Sequence, residues 1–236
     1  MDVKALTIKE KLDIIKYNIE KSAEKAGRNP KDVVILPVSK KKSCDDIREV
    51  LKLGIDITGE NYVQELLPKY EELKDEVREF HFIGHLQSNK VKYIIDKVSL
   101  IHSVDSVSLL KEINKQAVKA GKVQNVLLEV NFEAEETKTG ATKEELFNML
   151  ESTRDFKNVK IKGLMTMPPA FYTQEELKSV FSRFRSFYEK LKGEYKTENI
   201  CFDTLSMGMS NDYPLAVEYG STVVRIGTAL FGKRDY

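Results

Sequence analysis

Short apolar, β-branched runs alternate with longer amphipathic stretches along the whole of this sequence, and that alternation limits the fold more than any other feature. The run VVILPVS, beginning at Val33, is the clearest case: compact, branched and bounded by polar residues, it reads as a strand buried on both faces. The same reasoning predicts strands over 33–39, 55–58, 79–83, 100–104, 125–131, 160–165, 200–205 and 222–226. Helical spacing predicts helices over 45–53, 63–73, 90–96, 108–120, 143–153, 174–191 and 213–219, with an extra one at 6–27 ahead of the first strand. In that first helix Leu12, Ile15, Tyr17, Ile19 and Ala23 form the apolar set, and Gly27 ends it. Ser43, Thr142 and Thr173 each precede a pair of acidic residues, as helix N-caps do. Eight strand–helix units of this kind predict an α/β fold, a (β/α)₈ TIM barrel; an open doubly wound sheet is the alternative.

Composition narrows the partners. Across 236 residues, 38 Lys+Arg balance 37 Asp+Glu, so no net field selects nucleic acid or an anionic membrane. No signal-peptide core and no run of about 20 apolar residues is seen, and two cysteines make no disulfide framework. A cytoplasmic, monomeric protein with one domain over 1–236 is expected.

In a barrel, chemistry gathers at the C-terminal ends of the strands. Those ends carry Lys40, Glu60-Asn61, Gly84-His85, Ser103, Asn131, Met165-Thr166-Met167, Ser206-Met207-Gly208 and Arg225-Ile226-Gly227-Thr228. Hydroxyls and glycines after strands seven and eight suit a phosphate, which barrels commonly hold there. If Val34, Leu36 and Val38 face the interior, period two puts Lys40 on the same side at the rim, with Lys41 pointing away. A lysine at an apolar rim loses hydration, and its neutral amine can attack a carbonyl. Arg225, on a buried strand, needs a partner: Glu60, Asp203 or a ligand heteroatom. A Schiff-base lysine, a phosphate cradle and a rim arginine together fit either a class I aldolase-like lyase or a pyridoxal phosphate protein, and spacing does not choose between them.

The runs PVSKKKS, GENYVQEL, FHFIGHLQSNK, IHSVD, GLMTMPP and LSMGMSNDYPLAVEYGSTVVRIGTALFG together resemble the YggS/PROSC family of pyridoxal phosphate homeostasis proteins, over nearly the whole sequence. The resemblance implies a barrel like the N-terminal domain of alanine racemases, with the cofactor as an internal aldimine on Lys40. It implies that Ser206, with Met207 beside it, and Gly227-Thr228 hold the phosphate, that Arg225 approaches the pyridine nitrogen, and that Asn61 and Met165 line the pocket. It therefore favours pyridoxal phosphate over the aldolase.

An arginine at the ring nitrogen does not stabilise a pyridinium, so the cofactor is a weak electron sink. The racemase run Ala-Asn-Ala-Tyr-Gly after the lysine is absent, and the chain is expected to have no room for a racemase's second domain. The expected role is therefore cofactor storage, with apo-enzymes that use pyridoxal phosphate as recipients, rather than catalysis; weak amino-acid activity is the alternative. His81, His85 and His102 lack metal spacing, although His85 is placed to border the pocket. The stripe of Leu177, Val180, Phe181, Phe184 and Phe187-Tyr188 reads as core, with Arg183 and Arg185 solvated beside it. Asp212 is expected to cap the helix after strand seven.

Overall fold

The strands fall where the apolar runs predict. The structure is a computed structural model that describes residues 6–133 and 139–232, so the expected domain limits at 1 and 236 lie outside the described residues. The strands are β1 (Val34–Pro37), β2 (Ile57–Glu60), β3 (Glu79–Phe82), β4 (Leu100–Val104), β5 (Gln124–Glu129), β6 (Val159–Met165), β7 (Ile200–Met209) and β8 (Val223–Ile226). They form one parallel sheet in the order β1-β8-β7-β6-β5-β4-β3-β2. The ends of that order meet through a parallel bridge between Val38 and Gly59, where the Ser39 N–H donates to the Gly59 carbonyl at 3.0 Å. The sheet is thus a nearly closed (β/α)₈ barrel, and the open-sheet alternative is excluded.

Helix α1 (Ile8–Lys25) precedes the barrel, and each strand is followed by one helix: α2 (Cys44–Lys52), α3 (Val63–Leu73), α4 (Val91–Ile94), α5 (Val107–Lys119), α6 (Lys143–Ser152), α7 (Gln174–Glu194), α8 (Tyr213–Glu218) and α9 (Thr228–Phe231). Ser43, Thr142 and Thr173 are N-caps, each closed into a capping box with the acidic residue three positions on. Thr7 and Glu10 do the same for α1. These boxes satisfy amides that the first turn leaves unpaired, which is why the helices start where the motifs say.

The alternation of strand side chains divides the core in two. Phe80, Phe82, Ile101, Val126, Leu128, Leu205 and Met207 face out against the helices. Leu36, Ile57, Ile83 and Val223 pack inside, as do Leu100, Leu127 and Met165. On α7 the predicted stripe of Val180, Phe181, Phe184 and Tyr188 is buried in the outer core.

Some expectations are corrected. Tyr17 is 58% exposed, because α1 buries Leu12, Ile15, Ile19, Ser22 and Ala23 and position 17 falls on the far side of that stripe. Val34 shares the inward parity of Leu36, yet it opens the strand at the barrel's N-terminal end and stays 41% exposed. The helix expected over 90–96 shortens to α4 behind a 3₁₀ turn at Ser88–Lys90. Strand β7 runs to Met209, four residues past its expected end. Arg185 is not simply solvated: it donates to the Gly220 carbonyl at 3.0 Å and pairs with Glu189.

Candidate cofactor cavity at the strand C-termini

Leu36 and Val38 point into the barrel, and the same period carries Lys40 to the wall of a cavity of about 400 Å³ at the C-terminal ends of the strands. That volume lies within the roughly 300–1,000 Å³ usual for small-molecule sites. The chain leaves the site at Lys41, whose φ of 59° is the one left-handed non-glycine conformation among the described residues. Its N–H donates to Glu65 Oε2 at 2.6 Å.

A buried ionic cluster outside the sheet holds this corner. Lys69 Nζ donates to the Ser39 carbonyl at 2.7 Å, to Glu60 Oε1 at 2.6 Å and to Glu65 Oε2 at 3.0 Å. Ser39 Oγ donates to Glu60 Oε1 at 3.0 Å and accepts from Thr58 Oγ1 at 3.0 Å. The cluster therefore clamps the peptide just before Lys40 to the residue just before Asn61. Glu60 is committed here, and Asp203 pairs with Lys162, so neither is the partner of Arg225.

Asn61 also lines the cavity, and its buried side-chain oxygen has no hydrogen-bond partner. Its backbone lies so close to Gly84 that a Cβ there would collide with the Asn61 carbonyl. Arg225 enters from β8, 4% exposed, its NH1 donating to Ser206 Oγ at 2.6 Å and its NH2 to the Thr166 carbonyl at 3.1 Å. Burial lowers the Arg225 pKa to about 10, with Asp212 and Glu129 opposing the shift, so the guanidinium stays charged at neutral pH. Glu129, inside the barrel at the end of β5, is pushed up by burial.

The motif after strand seven divides by depth. Ser206 is fully buried below Arg225, where it also meets His102 Nδ1 at 3.2 Å. Met165 packs in the interior cluster and Met207 in the outer core, so Ser206, Met165 and Met207 do not line the cavity. Gly227 and Thr228 do, together with Met209, Ser210 and Asp212. The register slips by one residue between Ser206 and Met209, a bulge centred on Gly208 at φ 91°, where a Cβ would sit 2.5 Å from Ala216 Cβ. Beyond it Ser210 Oγ accepts from the N–H groups of Gly227 and Ala229 at 3.2 and 3.1 Å, drawing the loops after β7 and β8 together. Ser210 thus stands on the cavity wall where the sequence reading expects Ser206, because ending the strand at 205 makes Ser206 look like the rim residue; the second serine of SMGMS is the signal for the longer strand.

Asp212 occupies the N-cap position of α8 without capping it. Its Oδ1 turns back to accept from the Met209 N–H at 2.5 Å, and burial raises its pKa. His85 is outside the cavity wall, 3.6 Å from Asp105. Among the described residues no group of His, Cys, Asp and Glu is arranged to hold a metal, and no helix is long and apolar enough to cross a membrane.

The family model for the alanine racemase N-terminal domain matches residues 11–235. A pyridoxal phosphate homeostasis protein of Aquifex aeolicus is 47% identical over 227 residues, 96% of this chain and 98% of that one. A protein of the same name from Pseudomonas aeruginosa is 38% identical, over 98% of this chain and 97% of its own. The structure of PipY from Synechococcus elongatus with pyridoxal phosphate bound superimposes with a TM-score of 0.80 at 34% identity, covering 91% of this chain and all of that one. Alanine racemase from Corynebacterium glutamicum, with a TM-score of 0.67 at 14% identity over 95% of this chain and 62% of its own, shares the fold.

Proposed function

This chain belongs to the alanine racemase N-terminal domain family and, within it, to the pyridoxal phosphate homeostasis proteins, and from that premise we propose that it binds pyridoxal phosphate in the cavity at Lys40 and takes part in holding the cell's supply of that cofactor. The supporting observation is convergence: Lys40 from β1, Asn61 from β2 and Arg225 from β8 meet on one cavity of the right size. The residues fit the group. A buried amide oxygen without a partner and a buried guanidinium without a hydrogen-bonded carboxylate are what a heteroaromatic ring with polar substituents would satisfy.

In this reading Lys40, on the cavity wall, would hold the cofactor through its aldehyde, the group that supplies reversible carbonyl–amine chemistry when bound. Gly227 and Thr228 take the phosphate, and Ser210 replaces Ser206 as the serine that closes the cradle. Arg225 faces the ring nitrogen, where a positive group that cannot accept a proton keeps the cofactor a poor electron sink. Bound cofactor is thus retained and released rather than used for racemisation. The protein acts as a cytoplasmic monomer, with apo-enzymes that use pyridoxal phosphate as recipients.

The test is the visible spectrum of the purified protein with pyridoxal phosphate, before and after borohydride, followed by peptide mass mapping. A yellow band lost on reduction, with a pyridoxyl phosphate adduct on Lys40 that K40A lacks, is the expected result. A protein that takes up no cofactor overturns the reading and returns the aldolase-like alternative to first place.

A further inference from the structure

The barrel interior holds a file of polar side chains that the cofactor cavity does not account for. It begins at Glu79, which opens β3 at the barrel's N-terminal end, is partly exposed and is paired with Arg78. Glu79 Oε2 lies 3.2 Å from His81 Nε2, His81 Nδ1 lies 3.1 Å from His102 Nε2, and His102 Nδ1 lies 3.2 Å from Ser206 Oγ. Ser206 Oγ in turn accepts from Arg225 NH1 at 2.6 Å. Four strands contribute, β3, β4, β7 and β8, so only the closed barrel assembles the file.

The direction of every bond can be derived. A carboxylate only accepts, so His81 Nε2–H donates to Glu79. Both rings are buried, with their pKa values lowered by desolvation, and are neutral at pH 7, so each carries one N–H. His81 Nδ1 must then accept from His102 Nε2–H, and His102 Nδ1 from the Ser206 hydroxyl. Ser206 Oγ is left to accept from Arg225. Each donor along the file is used and no two protons meet; the opposite direction would need a proton on the Glu79 carboxylate, which is paired with Arg78.

We propose that Glu79, His81, His102 and Ser206 form a one-way hydrogen-bonded relay whose role is to position Arg225 toward the cavity. A buried guanidinium on which Glu129 and Asp212 act only through space needs its orientation fixed by neutral acceptors. The Thr166 carbonyl fixes NH2 and the relay fixes NH1 of a side chain that lines the cavity. The relay is a property of the chain alone; what Arg225 meets rests on the reading of the cavity as a pyridoxal phosphate site. Glu79 is therefore a positioning residue that acts on the cofactor without touching it.

Two measurements test this. In the cofactor-free protein, ¹⁵N NMR of labelled histidines at pH 7 should show His81 and His102 as neutral Nε2–H tautomers. The same should hold in E79Q, which keeps an acceptor oxygen, whereas E79A should lose the single tautomer. In the protein loaded with pyridoxal phosphate, E79A and S206A should each shift the visible band and release cofactor about tenfold faster, the double variant behaving like either one and E79Q like wild type. Nδ1–H or charged rings in the wild type overturn the relay, as does an E79A spectrum and release rate indistinguishable from wild type. A wild type that takes up no pyridoxal phosphate overturns the cavity reading instead, and the NMR result then decides the relay by itself.

Discussion

Lys40 and Lys41 are adjacent and chemically alike, yet the backbone gives them opposite circumstances. Period two turns Lys40 into the cavity, while Lys41 holds a left-handed conformation that costs a residue with a Cβ about 1 kcal/mol or more. The bond from its N–H to Glu65 maintains that turn. K41G should therefore raise stability by about 0.5 kcal/mol in urea denaturation, because the relief of the steric penalty exceeds the extra unfolded-state freedom that glycine brings. Gly208 is the converse case. G208A puts a methyl group against Ala216 at a positive φ and should cost about 2 kcal/mol or more, read as a lowered urea midpoint, with Ser210 displaced from the cavity.

Between elements, the joint of β1, β2 and α3 depends on buried charge. Glu60 has no exposed side-chain surface and Lys69 only 9%, so removing the cation leaves a desolvated carboxylate. K69M should destabilise the protein by about 3–5 kcal/mol, and adding E60L should restore most of that loss, since an apolar pair of similar volume needs no compensation. The check is chemical denaturation of the two variants side by side. Because Lys69 holds the Ser39 carbonyl, K69M should also loosen the approach to Lys40 and weaken pyridoxal phosphate uptake in titration. At the start of α7 the effect is smaller: T173A removes one cap and should cost about 1 kcal/mol by the same measurement.

At the scale of the whole molecule, the barrel buries two uncharged histidines against each other, and that sets an acid limit. Burial pushes His81 down to about 4 and His102 well below its ordinary value, whereas both titrate near 6.5 in the unfolded chain. Below about pH 6.5 the unfolded state binds protons that the native state refuses, so stability falls as pH drops and is regained as pH rises. Each histidine should contribute up to ~1.4 kcal/mol per pH unit between about pH 6.5 and 5, where ordinary carboxylates are already ionised. Glu129 and Asp212, whose carboxyls burial raises, oppose this slope. Urea midpoints of wild type and H81F across that range isolate the histidine part: H81F should show the flatter curve.

The order and spacing of strands and helices were legible in the sequence because they depend on near neighbours: period-two apolar runs, 3.6-residue stripes and caps such as Ser43 and Thr173 are local properties. Lys40, Asn61, Arg225, Gly227 and Thr228 were legible for the same reason, each standing at the end of a recognisable strand, and the family's motifs named the ligand class expected there. Depth was not. Whether Ser206 or Ser210 reaches the cavity depends on how far β7 runs and on a bulge whose partner strand lies elsewhere in the sequence. The Lys69–Glu60 pair and the file from Glu79 to Arg225 likewise join residues that the sequence keeps apart, with a histidine and a serine in contact across 104 positions. Only closure of the sheet brings them within hydrogen-bonding distance, and only there does burial force each polar group to find a partner.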